Sequence, residues 1–220
     1  MGYPCKQINL NNGKWFKISG EMSGKMSRIK SLNTSHVLNA NCQKNRNDKN
    51  SICSSCYSYV SEKRFTKVGD LYQHNFKILS THILKDNEVP ILEQNTLFRF
   101  NAHGDLINRI HYNNLIKIAK FNPNVHFALW TKNLKVINKG KGIIKLNNLQ
   151  HVYSDIYLNN LDSPIIPNGF DKIFRVYNTK TIRENKSIKI NCSNNCIKCR
   201  LCYTPNEVQI INEQIKSRFR

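Results

Sequence analysis

An α/β fold built on a parallel sheet is the class this sequence predicts, and three observations carry the prediction. Strand-like runs alternate with helical periods through the middle of the 220 residues, which favours a parallel sheet over a hairpin sandwich. The late connections are short for crossover helices, so a partial or irregular parallel (β/α) barrel suits the length better than a complete eight-stranded one. Cysteines crowd into one N-terminal and one C-terminal segment. With 40% hydrophobic residues the chain can bury one substantial core, and lacking an internal repeat or linker, residues 1–220 read as one domain.

In order, residues 14–18 (KWFKI) make a short strand and 19–27 a loop. Residues 35–42 (SHVLNANC) read as a strand with Cys42 at its C-terminal end, and 51–65 carry Cys53 and Cys56 into a helix. A longer helix over 69–84 places Tyr72, Phe76, Leu79 and Ile83 on one face. Residues 96–106 (TLFRFNAHGDL) form a strand with a polar tip, and 112–122 a helix with Leu115, Ile116 and Ala119 inward. Strands follow at 125–133, 152–159 and 171–178; Phe98, Phe127 and Trp130 lie inside such runs and read as core. Residues 206–220 close the chain as a basic amphipathic helix with Val208, Ile211 and Ile215 on one face.

Thirty-four Lys and Arg against fourteen Asp and Glu give a formal charge of +20, spread along the chain. Such a field attracts polyanions, making nucleic acid, or a protein bound to it, the expected partner; a solvated basic surface left by an Asn- and Lys-rich composition is the plainer account. There is neither an apolar run of membrane-spanning length nor a signal-peptide pattern, so an intracellular protein without a membrane partner is expected.

Reduced compartments keep thiols free, and close C-x2-C pairs there more often bind metal than form disulfides. Seven of the eight cysteines form two groups: Cys42, Cys53 and Cys56, then Cys192, Cys196, Cys199 and Cys202. Thiolates are soft ligands for iron–sulfur clusters or zinc. Three can wrap three corners of a 4Fe-4S cubane and leave the fourth iron open; all four C-terminal thiols can close one. One or two clusters are compatible with the spacing, with zinc as the alternative, for instance between Cys53, Cys56 and a C-terminal pair.

The stretches CSSCYSY, FRFNAHGDL and HFALWTKN, followed by the C-terminal cysteine run, resemble the phage and mobile-element family called gene product 88 over about residues 35–203. That family is in turn similar to radical S-adenosylmethionine barrels. The resemblance implies an iron–sulfur protein in the cytoplasm, that of the host cell if phage-encoded. It places the cluster ligands at Cys42, Cys53, Cys56, Cys192, Cys196, Cys199 and Cys202, and a His-Gly-Asp element at His103, Gly104 and Asp105. Radical enzymes carry C-x3-C-x2-C after their first strand, with an aromatic before the last cysteine; here that spacing is C-terminal and Lys198 takes the position.

Sites in parallel sheets lie at the C-terminal strand ends. Arg99, Asn101, His103 and Asp105 alternate at one such end, Gly104 allows a close backbone approach, and Thr131, Lys132 and Asn133 lie at the next, with Ser154 and Asp155 beyond. An S-adenosylmethionine site would use the open iron together with Arg99, Asn101, Gly104 and Lys132, with His103 or Asp105 as acid or base. A buried Arg99–Asp105 pair is the structural alternative. The sequence thus leaves three functions open: a radical S-adenosylmethionine-like enzyme acting on nucleic acid or something bound to it, a non-enzymatic, metal-stabilised inhibitor that binds nucleic acid or protein, or a zinc-stapled structural domain.

Overall fold

The computed structural model describes residues 5–9, 15–19, 24–138 and 142–215. Eight strands form one sheet in chain order: β1 (Cys5–Asn9), β2 (Trp15–Ser19), β3 (Lys30–Leu32), β4 (Leu97–Phe100), β5 (His126–Thr131), β6 (Leu149–Leu158), β7 (Lys172–Tyr177) and β8 (Ile210–Gln214). The first two pairings are antiparallel and the remaining ones parallel. The mostly parallel α/β sheet is therefore as expected. Among the described residues β8 does not pair with β1, so the sheet is not closed into a barrel. Instead the backbone N–H groups of Asn191 and Cys192 both donate to Asn212 O, covering β8's outer edge.

Helices α1 (Ala40–Asn47), α2 (Tyr57–Arg64) and α3 (Thr66–Thr81) lie between β3 and β4; α4 (Arg109–Phe121) and α5 (Leu134–Asn138) follow β4 and β5; α6 (Thr179–Glu184) and the single turn α7 (Cys196–Cys199) precede β8. Strand pleating sends alternate residues to opposite faces. Phe98, Phe127 and Leu149, aligned across β4, β5 and β6, meet Leu79 of α3, Leu115, Ile116 and Ala119 of α4 and Val136 and Ile137 of α5 in the larger core. The other face presents Leu97, Ala128, Trp130, Val152, Phe174 and Ile211, and among the described residues no long helix covers it. Its cover is Met26 and Ile29 together with Cys202, Tyr203 and their neighbours from the run between α6 and β8.

The abundant asparagines are structural fasteners. Asn39, Asn108, Asn178 and Asn195 cap α1, α4, α6 and α7, each accepting backbone N–H bonds that the first turn would otherwise leave unpaired. Buried Asn75, Asn114 and Asn122 bridge loop backbone with both ends of their amides; Asn114 takes Leu84 N–H at 2.9 Å and donates to Leu79 O and His82 O. A satisfied amide keeps its loop's polar groups from being buried unpaired.

Two expected elements are corrected. Residues 35–42 are not a strand: Asn39 accepts from Asn41 N and Cys42 N, so the cap starts α1 and Cys42 sits in its first turn. Residues 206–220 are not a helix over the described part. β8 lies along β7, exchanging Ile173 N–Gln209 O and Ile215 N–Tyr177 O bonds at 2.9 Å, and Ile211 is buried while Ile210 is exposed. A short isolated helix is marginal in water, whereas a vacant strand edge satisfies every backbone group it pairs. Residues 216–220 lie outside the described residues, as do 20–23 of the expected loop; within it Gly24–Met26 forms a 3-10 turn. The helix expected over 69–84 runs instead over α3, with Tyr72 and Leu79 buried but Ile83 exposed beyond its end.

Candidate functional site

The polar tip after β4 organises the N-terminal cysteines. Asn101 (φ 58°) turns the chain out of the strand and donates through its amide to Trp130 O. Alternation stops there, so Arg99, Asn101, His103 and Asp105 do not share one face as the sequence suggested. From 102 to 106 the tip is tied to the segments that carry Cys42 and Cys56, and the segment of Cys53 is fastened beside it to β6. Asn39, the cap of Cys42's helix, donates to Asp105 O at 3.0 Å and Leu106 O at 3.4 Å. Tyr57, next to Cys56, donates its hydroxyl to Ala102 O, and Ser58 Oγ lies 3.1 Å from His103 Nδ1. Ser51 receives Cys53 N–H at 3.0 Å and bridges to Tyr157 at the end of β6. Cys42, Cys53 and Cys56 thereby come within electrostatic reach of one another at the C-terminal ends of the parallel strands.

His103 and Asp105 are internal to this scaffold. His103 is buried between the rings of Tyr57 and Tyr72, each 5.1 Å away, and burial holds its pKa down to about 4, with Arg99 acting in the same sense. Asp105 accepts Thr131 Oγ1–H at 2.5 Å, Leu106 N–H at 2.7 Å, Lys132 N–H at 3.0 Å and Asn41 Nδ2–H at 3.4 Å. Burial raises its pKa, and those donors and the Lys132 charge pull against the rise. The expected Arg99–Asp105 pair does not form. Arg99 lies 4.0 Å from the Trp130 ring centroid and donates to Met26 Sδ; Asp155 pairs instead with Arg175 at 3.1 Å.

Gly104 does permit a close approach, but the neighbour is Thr34, not open space for a ligand. With φ +78°, a Cβ here would lie 2.4 Å from Thr34 O and 2.5 Å from its Oγ1. Gly104→Ala is expected to lower unfolding stability in urea by about 2–4 kcal/mol, combining left-handed strain with overpacking. A loss below ~0.5 kcal/mol would mean that the tip shifts freely and does not hold the thiols.

Of the remaining tip residues, Thr131 and Asn133 bind the β4 tip, and Lys132 sends its ammonium to Ser154 Oγ while acting on Cys42 and Cys56. Burial raises both of these thiols, so without metal they are protonated at neutral pH.

Cys192, Cys196, Cys199 and Cys202 form the second group, on the face that among the described residues no long helix covers. Asn195 caps α7 through Lys198 N–H, Arg200 takes a left-handed φ of 53° to end it, and Cys202 follows in the turn, buried. The four thiols act on one another, and burial pushes Cys196 up to about 11 and Cys202 up to about 12 against the pull of Arg99. Each group is self-contained: the mixed zinc site of Cys53 and Cys56 with a C-terminal pair is not gathered. Among the described residues no set of three or more His, Cys, Asp or Glu side chains is drawn together as around a single metal ion. A cubane spreads its thiolates over separate iron corners, whereas one tetrahedral zinc needs its ligands drawn together around a single ion.

The family described as Gene product 88 matches residues 17–205. The chain belongs to that family. Searches of curated proteins and of solved structures return no match. The gene product 88 match spans both thiol groups and the β4 tip, so all seven grouped cysteines lie inside the family region. Among the described residues no helix is long and apolar enough to cross a membrane.

Sequence reading missed Asn39, Tyr57, Ser58 and Glu62, which position the thiols without resembling ligands. Buried Glu62 accepts from Ser35 Oγ at 2.9 Å and His36 N–H at 2.5 Å, fastening the loop that leads to α1. An Asn directly before an Ala-Asn-Cys run is a legible cap signal, whereas Glu62's partner lies 26 residues away.

Proposed function

We propose that this gene product 88 chain is an iron–sulfur protein with two differently finished thiolate groups. Cys192, Cys196, Cys199 and Cys202 close one cluster that secures the helix-free face. Cys42, Cys53 and Cys56 hold a second cluster, one corner of which takes no cysteine. The observation that carries this reading is the convergence of the three N-terminal thiols at the C-terminal strand ends, where α/β enzymes place reacting ligands: the segments of Cys42 and Cys56 are fastened to the β4 tip, and that of Cys53 to the end of β6 through Ser51. In the finer form of the proposal, the open sheet is a partial (β/α) barrel of the radical S-adenosylmethionine kind. The cluster then supplies electrons and an open iron for the cofactor's amino-acid end.

The chain's own residues have separable parts in that chemistry. Lys132, beside Cys42 and Cys56, balances thiolate charge and presents an ammonium to an anionic group. Asn101 shapes the exit from β4. His103 and Asp105 hold the tip that aims the thiols, and a direct proton transfer from either requires the tip to open.

Protein prepared without oxygen should contain iron and sulfide and absorb near the visible maximum of a cubane; after reduction it should convert S-adenosylmethionine to 5′-deoxyadenosine and methionine. Iron-free material that binds only zinc would defeat the whole proposal. Iron without cofactor cleavage would defeat its enzymatic half alone.

A second reading, a non-enzymatic binder of nucleic acid, is favoured by the charge of +20. Binding to single or double strands should then fall steeply with salt as counterions are retained, and salt-independent or absent binding would exclude it.

A further inference from the structure

Arg99 is a buried cation without an anion. It is 9% exposed, and among the described residues its Nε has no hydrogen-bond partner while its guanidinium meets Met26 Sδ at 3.2 Å and the Trp130 ring. Among the described residues no carboxylate pairs with it. Glu213, near the same face, is taken by Lys25, and Asp155 by Arg175. A sulfur lone pair and an aromatic face offset only part of the cost of removing a full charge from water. Met26 and Trp130, which the guanidinium touches, pack in one cluster with Cys202 and Tyr203, with Cys192 and Cys196 against it, and the Arg99 charge reaches Cys196, Cys202 and Tyr203 as well as Tyr57 and His103 at the β4 tip.

We infer that Arg99 is the internal counter-ion of the anionic cluster held by Cys192, Cys196, Cys199 and Cys202, and that it sets the reduction potential of that cluster. This rests on the iron–sulfur reading above. Four thiolates around a cubane leave a net negative charge, and one-electron reduction adds another. A fixed cation within electrostatic reach stabilises the reduced form more than the oxidised one and so raises the potential. Lys25, on the same group but bound to Glu213, contributes less because its charge is already met.

The test uses the full chain, made without oxygen, with Cys53→Ser and Cys56→Ser so that one cluster remains. Its midpoint is followed by visible absorption and electron paramagnetic resonance during dithionite titration. Arg99→Gln should shift the midpoint to more negative potential at unchanged iron content, and Arg99→Lys should recover most of the shift. If Arg99→Gln sheds its iron instead, retention by Arg99→Lys upholds the counter-charge, while loss from both variants overturns it. Equal midpoints at equal iron also overturn it. Absence of iron from the parent protein overturns the iron–sulfur reading itself, and this inference with it.

Discussion

Cys196→Ser with Cys202→Ser is expected to remove about half of the iron from the anaerobically prepared protein, from about eight to about four atoms per chain, if each thiol group holds one cubane. Cys53→Ser with Cys56→Ser should remove the other half. The two losses should differ in what they do to the fold. Residues from Cys192 to Tyr203 cover the face that carries Trp130, Val152 and Phe174, with no long helix in reserve, so losing the C-terminal cluster should loosen that cover. A group bound only by the native state stabilises it, and the thermal midpoint should fall in the loaded C-terminal variant far more than in its metal-free form. Amide exchange should quicken in 191–208 and in β8, whose edge Asn191 and Cys192 occupy. The N-terminal variant should leave that region protected and abolish any S-adenosylmethionine cleavage. Equal iron in wild type and both variants would show that the thiols are not the ligands.

Acid should destabilise the protein well above the range in which carboxylates protonate. His111, in the first turn of α4, is fully buried; Ile107 N–H approaches its Nδ1 at 3.3 Å, its Nε2 has no partner, and burial holds its pKa down to about 3. His103 is held at about 4. Both pKa values lie below that of an unfolded histidine, near 6.5, so below that pH the unfolded chain binds protons which the native chain refuses. The stability they contribute is complete above about pH 6.5 and is lost as pH falls toward 4 and, for His111, on toward 3. Each should contribute on the order of 3 kcal/mol to the difference between pH 7 and pH 4. Urea unfolding at the two pH values checks this. In His111→Gln the pH difference should shrink by about that amount, and an unchanged difference would show that the ring is already charged in the native state.

Legibility followed the range of the interaction involved. Strands β4, β5, β6 and β7 were readable because a buried parallel strand announces itself in a few consecutive apolar residues, and α4 because Leu115, Ile116 and Ala119 repeat with the helical period. β8 was not, since NEVQIINEQIK carries a helical period too and only the vacant edge of β7 decides between them. Cys42 was placed on the wrong kind of element because the apolar Val37 and Leu38, both exposed, resembled a strand, while the capping amide of Asn39 set the true start of a helix.

Composition, the seven grouped cysteines and the alternation of strands and helices through the middle of the chain were determined by the chain alone, since each depends on residues near one another in sequence. Tertiary structure decided everything that joins distant segments. It made His103 and Asp105 the anchors of a thiol-bearing loop instead of free groups at a strand tip, because their partners Ser58, Thr131 and Lys132 lie 26 to 45 residues away. Among the described residues it left Arg99 without a carboxylate partner and within electrostatic reach of Cys196 and Cys202, about a hundred residues further along, because a sheet face is assembled from side chains whose spacing in sequence carries no information about their spacing in the fold.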